Sequence, residues 1–155
     1  MRNLFLGLLG AVLTLASGAT GAQAVDKEPL QARVDAIVAI HGGVQTAPNQ
    51  VEWDGGDVTL TLELPGIAPL SVGSCATGKF CAYGGANLTG SKLSFTTCDT
   101  THSTEILGLV RSMANARSSG TVQGLSNAGT VLTSIGAGGQ VNSAPTGIKK
   151  AKCIS

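Results

Sequence analysis

An excess of charge is missing from this chain. Ten basic and nine acidic residues leave a formal net charge of +1, and charged residues make up only 12% of the sequence. Nine of each sign remain once the N-terminal stretch containing Arg2 is set aside. A neutral surface excludes nucleic-acid partners, which require cationic side chains to displace counterions. The one basic cluster, Lys149, Lys150 and Lys152, reads as a solvated C-terminal tail.

Catalytic and metal-binding chemistry is equally thin. The chain has two histidines, His41 and His102, and no C-x-x-C pair, so zinc has no ligand framework. Neither a nucleophile elbow nor a cofactor motif occurs, and no enzyme is expected. Asp99, His102, Ser103 and Glu105 crowd together in "CDTTHSTE". Triads are defined by spatial geometry, and this run is read as a polar loop. Asp54 and Asp57 flank a turn and read as solvated carboxylates.

No hydrophobic run is long enough to span a bilayer comfortably. The first 24 residues, "MRNLFLGLLGAVLTLASGATGAQA", join one positive charge, a short apolar run and an Ala22-Gln23-Ala24 end. That is the layout of a secretory signal peptide. The expectation is a secreted, extracellular protein with no membrane contact after cleavage.

All four cysteines lie beyond that segment: Cys75, Cys81, Cys98 and Cys153. An even number in an exported chain reads as two disulfides. The sequence leaves three pairings open, and Cys75–Cys81 with Cys98–Cys153 is the expectation. Chain entropy would then contribute about 2.4 kcal/mol for the short loop and about 4 for the long one.

Periodicity divides the rest. In "VDKEPLQARVDAIVAIHGG", Pro29 suits a helix start and Gly42 a stop. Leu30, Val34, Ile37, Val38 and His41 share one face, so His41 is a helix-end residue. "NQVEWDGGDVTLTLEL" alternates on both sides of Asp54-Gly55-Gly56 and predicts a hairpin. Residues 25–64 thus form a helix-plus-hairpin extension, packed on the C-terminal domain or on itself, and 65–73 a Pro-containing linker. From residue 74 to 155, β-prone runs ("KFCAY", "SKLSFTTC", "TVQGL", "TVLTSI") alternate with turns at Gly84-Gly85, Asn127-Ala-Gly129 and Gly136–Gly139. That spacing predicts an antiparallel sandwich. "STEILGLVRSMANA" reads as a loop entering a strand near Val110–Ala114.

Three of the five rings, Phe80, Tyr83 and Phe95, concentrate in "SCATGKFCAYGGANLTGSKLSF". Cys75-Ala-Thr-Gly78-Lys-Phe80-Cys81, followed by Tyr83, Asn87 and Gly90 and later by Ser112, Met113 and Asn115, resembles a secreted actinobacterial family. These are the peptidase inhibitors typified by the Streptomyces metalloproteinase inhibitor. The resemblance runs from about residue 74 to Cys153. It implies a mainly β, βγ-crystallin-like Greek-key sandwich, here preceded by a helix and hairpin. Tyr83, Gly90 and Ser112 would build the folded hairpin, the ring lying over the turn and Ser112 bonding across it. The implied partner is an extracellular peptidase, blocked by a rigid disulfide-supported loop.

Two departures stand out. Leu88 occupies the place of the hairpin's second aromatic. The second, short cysteine-bridged loop that presents the reactive bond later in the type inhibitor's chain has no counterpart, so that bond is unknown here. Candidate loops are Asp99–Leu107 and Gly136–Pro145. The alternative function is a βγ-crystallin-like binding or structural module, wall-directed or killer-toxin-like. No cofactor is expected. Calcium is the weaker option, because one register places Gly108 and Arg111 where oxygen ligands belong, and the other, Asn115-Ala-Arg-Ser118-Ser119, lacks a preceding acid or carboxamide.

Overall fold

A computed structural model describes residues 29–64 and 75–155. The stretch 1–24, expected to be a signal peptide, and the stretch 65–73, expected to be a linker, lie outside the described residues. Helix α1 spans Leu30–His41, with Pro29 before it and Gly42 after it. Val34 is fully buried, and Leu30, Ile37 and Val38 pack beside it on the core. His41 is exposed, and its carbonyl accepts a hydrogen bond from the Trp53 indole N–H at 3.0 Å.

Strands β1 (Val44–Ala47), β2 (Gln50–Trp53) and β3 (Val58–Thr61) come next, with a 3-10 turn at Asp54–Gly56 between β2 and β3. Gly55 takes a φ of 66° there, as the Asp-Gly-Gly sequence predicts. After them lie β4 (Phe80–Tyr83), β5 (Lys92–Phe95), β6 (Thr101–Ser103), β7 (Ser112–Asn115) and β8 (Thr121–Leu125). The chain closes with β9 (Val131–Gly136), β10 (Gln140–Val141) and β11 (Lys150–Ile154).

Two antiparallel sheets result, and the protein is mainly β. One runs β1-β2-β3-β5-β4-β7-β10 and the other β6-β11-β8-β9. The N-terminal hairpin packs on the C-terminal part of the chain, not on itself alone. Strand β3 pairs with β5 from Val58↔Phe95 to Thr61↔Lys92, extending the larger sheet. Val51, Leu60 and Leu62 thereby join Phe80, Leu93, Phe95, Met113, Val122 and Ile135 in one core. Each fully buried aliphatic among them contributes about 1.5–3 kcal/mol relative to exposure. Gly124 on β8 is needed for this closeness: an added Cβ would sit 2.8 Å from Ile148 and 2.9 Å from Thr133 side-chain atoms.

Two sequence expectations are corrected. The lysine-bearing C-terminus is no solvated tail, because Lys150–Ile154 pairs with β6 on one side and β8 on the other. Ala151 and Cys153 point inward and are fully buried, while Lys150 and Lys152 alternate outward. The "CDTTHSTE" run is likewise no simple loop. Thr101–Ser103 forms β6, and His102 is buried with its ring 4.8 Å from that of Phe95.

Candidate inhibitory surface

The stretch richest in rings and glycines folds over itself between β4 and β5. Gly84 N–H donates to Ser91 O, Gly85 N–H to Thr89 O and Thr89 N–H to Ala86 O, which closes the turn. Ser112, from β7, is fully buried beneath it. Its hydroxyl donates to Gly85 O at 2.6 Å and accepts from Leu88 N–H at 2.9 Å. Gly90 has a φ of 77°, and an added Cβ would meet Gly85 N at 2.9 Å. A side chain there would be both strained and blocked. Tyr83 packs in a small cluster with Cys75, Cys81 and Ala114, joined by Leu88 and Ala116. Burial pushes its hydroxyl pKa up to about 12, the nearby Cys75 backbone pulling the other way. That hydroxyl has no partner with hydrogen-bond geometry.

Disulfides join Cys75 to Cys81 and Cys98 to Cys153. The first pins the entry to β4. The second ties the β5–β6 connection to β11, uniting the two sheets. Residues 76–79 and 96–100 are further fastened by Arg117, whose Nη1 donates to Gly78 O at 3.0 Å and to Thr96 O at 2.8 Å.

The 96–100 connection is the most heavily braced exposed segment near the disulfides. Thr96 N–H donates to Asp57 O, and Thr97 N–H to the Asp57 carboxylate at 2.7 Å. Asp99 N–H donates to Cys153 O, and the Ser155 hydroxyl donates to the Asp99 carboxylate. Asp99 itself sits at a φ of 62°. Thr96, Thr97, Asp99 and Thr100 are nonetheless exposed. Burial alone would raise the Asp57 carboxyl. Hydrogen bonds from Thr97 and Thr96, with the His102 charge, outweigh it and hold the group below its ordinary value.

This geometry disperses the tempting catalytic cluster. The Asp99 carboxylate turns to Ser155, His102 packs tilted against the Phe95 ring, and the Ser103 hydroxyl accepts from Glu105 N–H. In the calcium register, the Asn115 side chain is spent inside the fold. Its amide donates to Gly120 O and Ile135 O, and its carbonyl accepts from Arg117 N–H. Among the described residues no three His, Cys, Asp or Glu side chains gather into a metal-binding group.

Residues 68–130 match the model of peptidase inhibitor family I36. This stretch is similar to that family. The matched span contains β4 to β8, the folded hairpin and Ser112, and the family it is similar to is one of peptidase inhibitors, not of enzymes. Strands β1–β3 precede it and β9–β11 lie after it, so Cys153 is beyond the match. No curated protein and no solved structure matches the chain.

Sequence reasoning missed the role of Arg117 and read Asp57 as a solvated carboxylate, whereas Asp57 accepts from the amides of Thr96 and Thr97 and holds that connection in place. No local pattern reveals these roles, since each residue acts on backbone groups 21 to 40 residues away. Only the fold brings them together.

Proposed function

We propose that the protein is a secreted inhibitor of extracellular peptidases, with metallopeptidases as the target class. The observation that carries this reading is the match of residues 68–130 to an inhibitor family, on a scaffold stapled by two disulfides. Exposed connections whose backbone is fixed before binding lose little entropy on docking, which is what a tight, rigid inhibitor requires. The metallopeptidase class rests on the resemblance of the Cys75–Phe95 region to the family's type member. Secretion rests on the signal-like layout of residues 1–24, and disulfides suit an oxidising compartment.

The test is a titration of a thermolysin-like metallopeptidase with the oxidised protein, beside a subtilisin-like serine peptidase. Stoichiometric loss of metallopeptidase activity is the expected result. Loss of the serine peptidase alone would move the target class. Full activity of both enzymes at micromolar inhibitor would sink the reading and turn attention to cell-wall polymers.

A further inference from the structure

Two loop regions compete for the role of peptidase contact, and their backbone bonding separates them. Among the described residues, strand β6 lies at the edge of its sheet, with β11 as its only strand neighbour. Thr104 N–H donates to Lys149 O, and β6 and β11 run in a register of Ser103↔Lys150, His102↔Ala151 and Thr101↔Lys152. In an antiparallel ladder, bonded and non-bonded pairs alternate. The bonded pairs are therefore those of Thr104 and His102, and the N–H and C=O groups of Thr101 and Ser103 point away from β11. Both residues are exposed. Immediately before them lies the connection 96–100, anchored at its centre by Cys98–Cys153 and along its backbone by Asp57 and Arg117.

The other candidate, around β10, is closed by comparison. Asn115 N–H donates to Gly139 O, which leaves Gln140 and Asn142 pointing outward from β7. The Asn142 carbonyl is already taken by Asn87 N–H at 2.8 Å. No disulfide braces this region. On β9, the Ile135 carbonyl accepts from the Asn115 side-chain amide.

We infer that Thr96–Ser103 is the surface that enters the peptidase cleft, a disulfide-anchored connection running into a free strand edge. This assignment rests on the inhibitor reading above. Extended peptides dock by adding main-chain hydrogen bonds to an open edge. Here the inhibitor supplies that edge already ordered, with Thr101 and Ser103 offering backbone groups and Thr96, Thr97, Asp99 and Thr100 offering exposed side chains. Because the opposite side of β6 is bonded to β11, the segment cannot relax once it is in the cleft.

Three variants of the full-length oxidised protein test the assignment against the thermolysin-like enzyme. Thr100→Arg places a long side chain at an exposed position that makes no side-chain hydrogen bond. Thr101→Pro deletes an outward N–H at an edge position of the kind that tolerates proline. Gln140→Pro makes the same kind of change on β10. Thr100→Arg and Thr101→Pro should each raise the inhibition constant at least about tenfold, as loss of a central contact does, while Gln140→Pro stays within about twofold of the native protein. Disulfide content and thermal midpoint establish that each variant is folded, and Thr100→Arg decides alone if Thr101→Pro does not fold. Native potency in folded Thr100→Arg and Thr101→Pro overturns the assignment while leaving the inhibitor reading intact. A native protein that blocks neither peptidase overturns both.

Discussion

A single hydroxyl fastens the folded hairpin to the sheet. Ser112 Oγ donates to Gly85 O and accepts from Leu88 N–H, and its side chain is fully buried. Ser112→Ala would leave a buried acceptor and a part-buried donor without partners, and each such loss costs about 1–3 kcal/mol. Urea denaturation should therefore show a loss of about 2–3 kcal/mol with an unchanged denaturant slope. A loss below about 0.5 kcal/mol, the scatter of neutral surface changes, would mean the turn holds itself. Asp57 yields a pH prediction at the same scale. Its folded-state pKa lies below the ordinary 3.8, so its contribution to stability is complete above that value. It disappears as pH falls through the lower folded pKa. Asp57→Asn should flatten the acid limb of the stability curve below about pH 4 and leave its shape near neutrality unaltered. An acid limb identical in the variant and the native protein would assign that pH dependence to other carboxylates.

At the scale of elements, the two disulfides differ in the length of chain they close. Cys98 and Cys153 are separated by 55 positions and Cys75 and Cys81 by 6. Replacing the long-range pair with serines should cost about 4 kcal/mol, against about 2.4 for the short one. Paired thermal melts would check the order, and equal losses would show that native-state packing, not loop closure, sets the difference. The short bridge lies within motif spacing, and much else was legible: the one-faced helix, the Asp-Gly-Gly hairpin, and strands β4, β5, β8 and β9 all obey local patterns. Strands β6, β10 and β11 did not declare themselves. Two of them span only two or three residues. In "KAKCI" the lysines concealed a true period-two alternation, with Ala151 and Cys153 inward. Those strands exist because partners elsewhere in the chain complete them, which no local window contains. The candidate surface was legible only to the same extent. Asp99 to Leu107 was in view, but the free edge at Thr101 and Ser103 depends on where β11 lies.

At the scale of the whole molecule, the N-terminal hairpin sits where the larger sheet would otherwise have an open edge. β5 contributes Leu93 and Phe95 to the core and bonds to β3 over four register pairs. A chain beginning at Cys75 would lose Val51, Leu60 and Leu62 from that core and present the unpaired backbone of β5 to solvent. It would also lose Asp57, which fixes the amides of Thr96 and Thr97. An exposed hydrophobic strand edge invites pairing between molecules. The fragment 75–155 should therefore be less soluble than the full chain and elute as aggregate in size-exclusion chromatography. Leu60→Ala in the full chain gives a graded version, with an expected cost of about 2–5 kcal/mol. If the fragment is monomeric, folds cooperatively and matches the full chain in peptidase assays, the hairpin is dispensable cover. If it fails while Leu60→Ala only weakens the fold, then residues 29–64 are what allows a sequence with so few aromatics to close its core around the peptidase-facing connection.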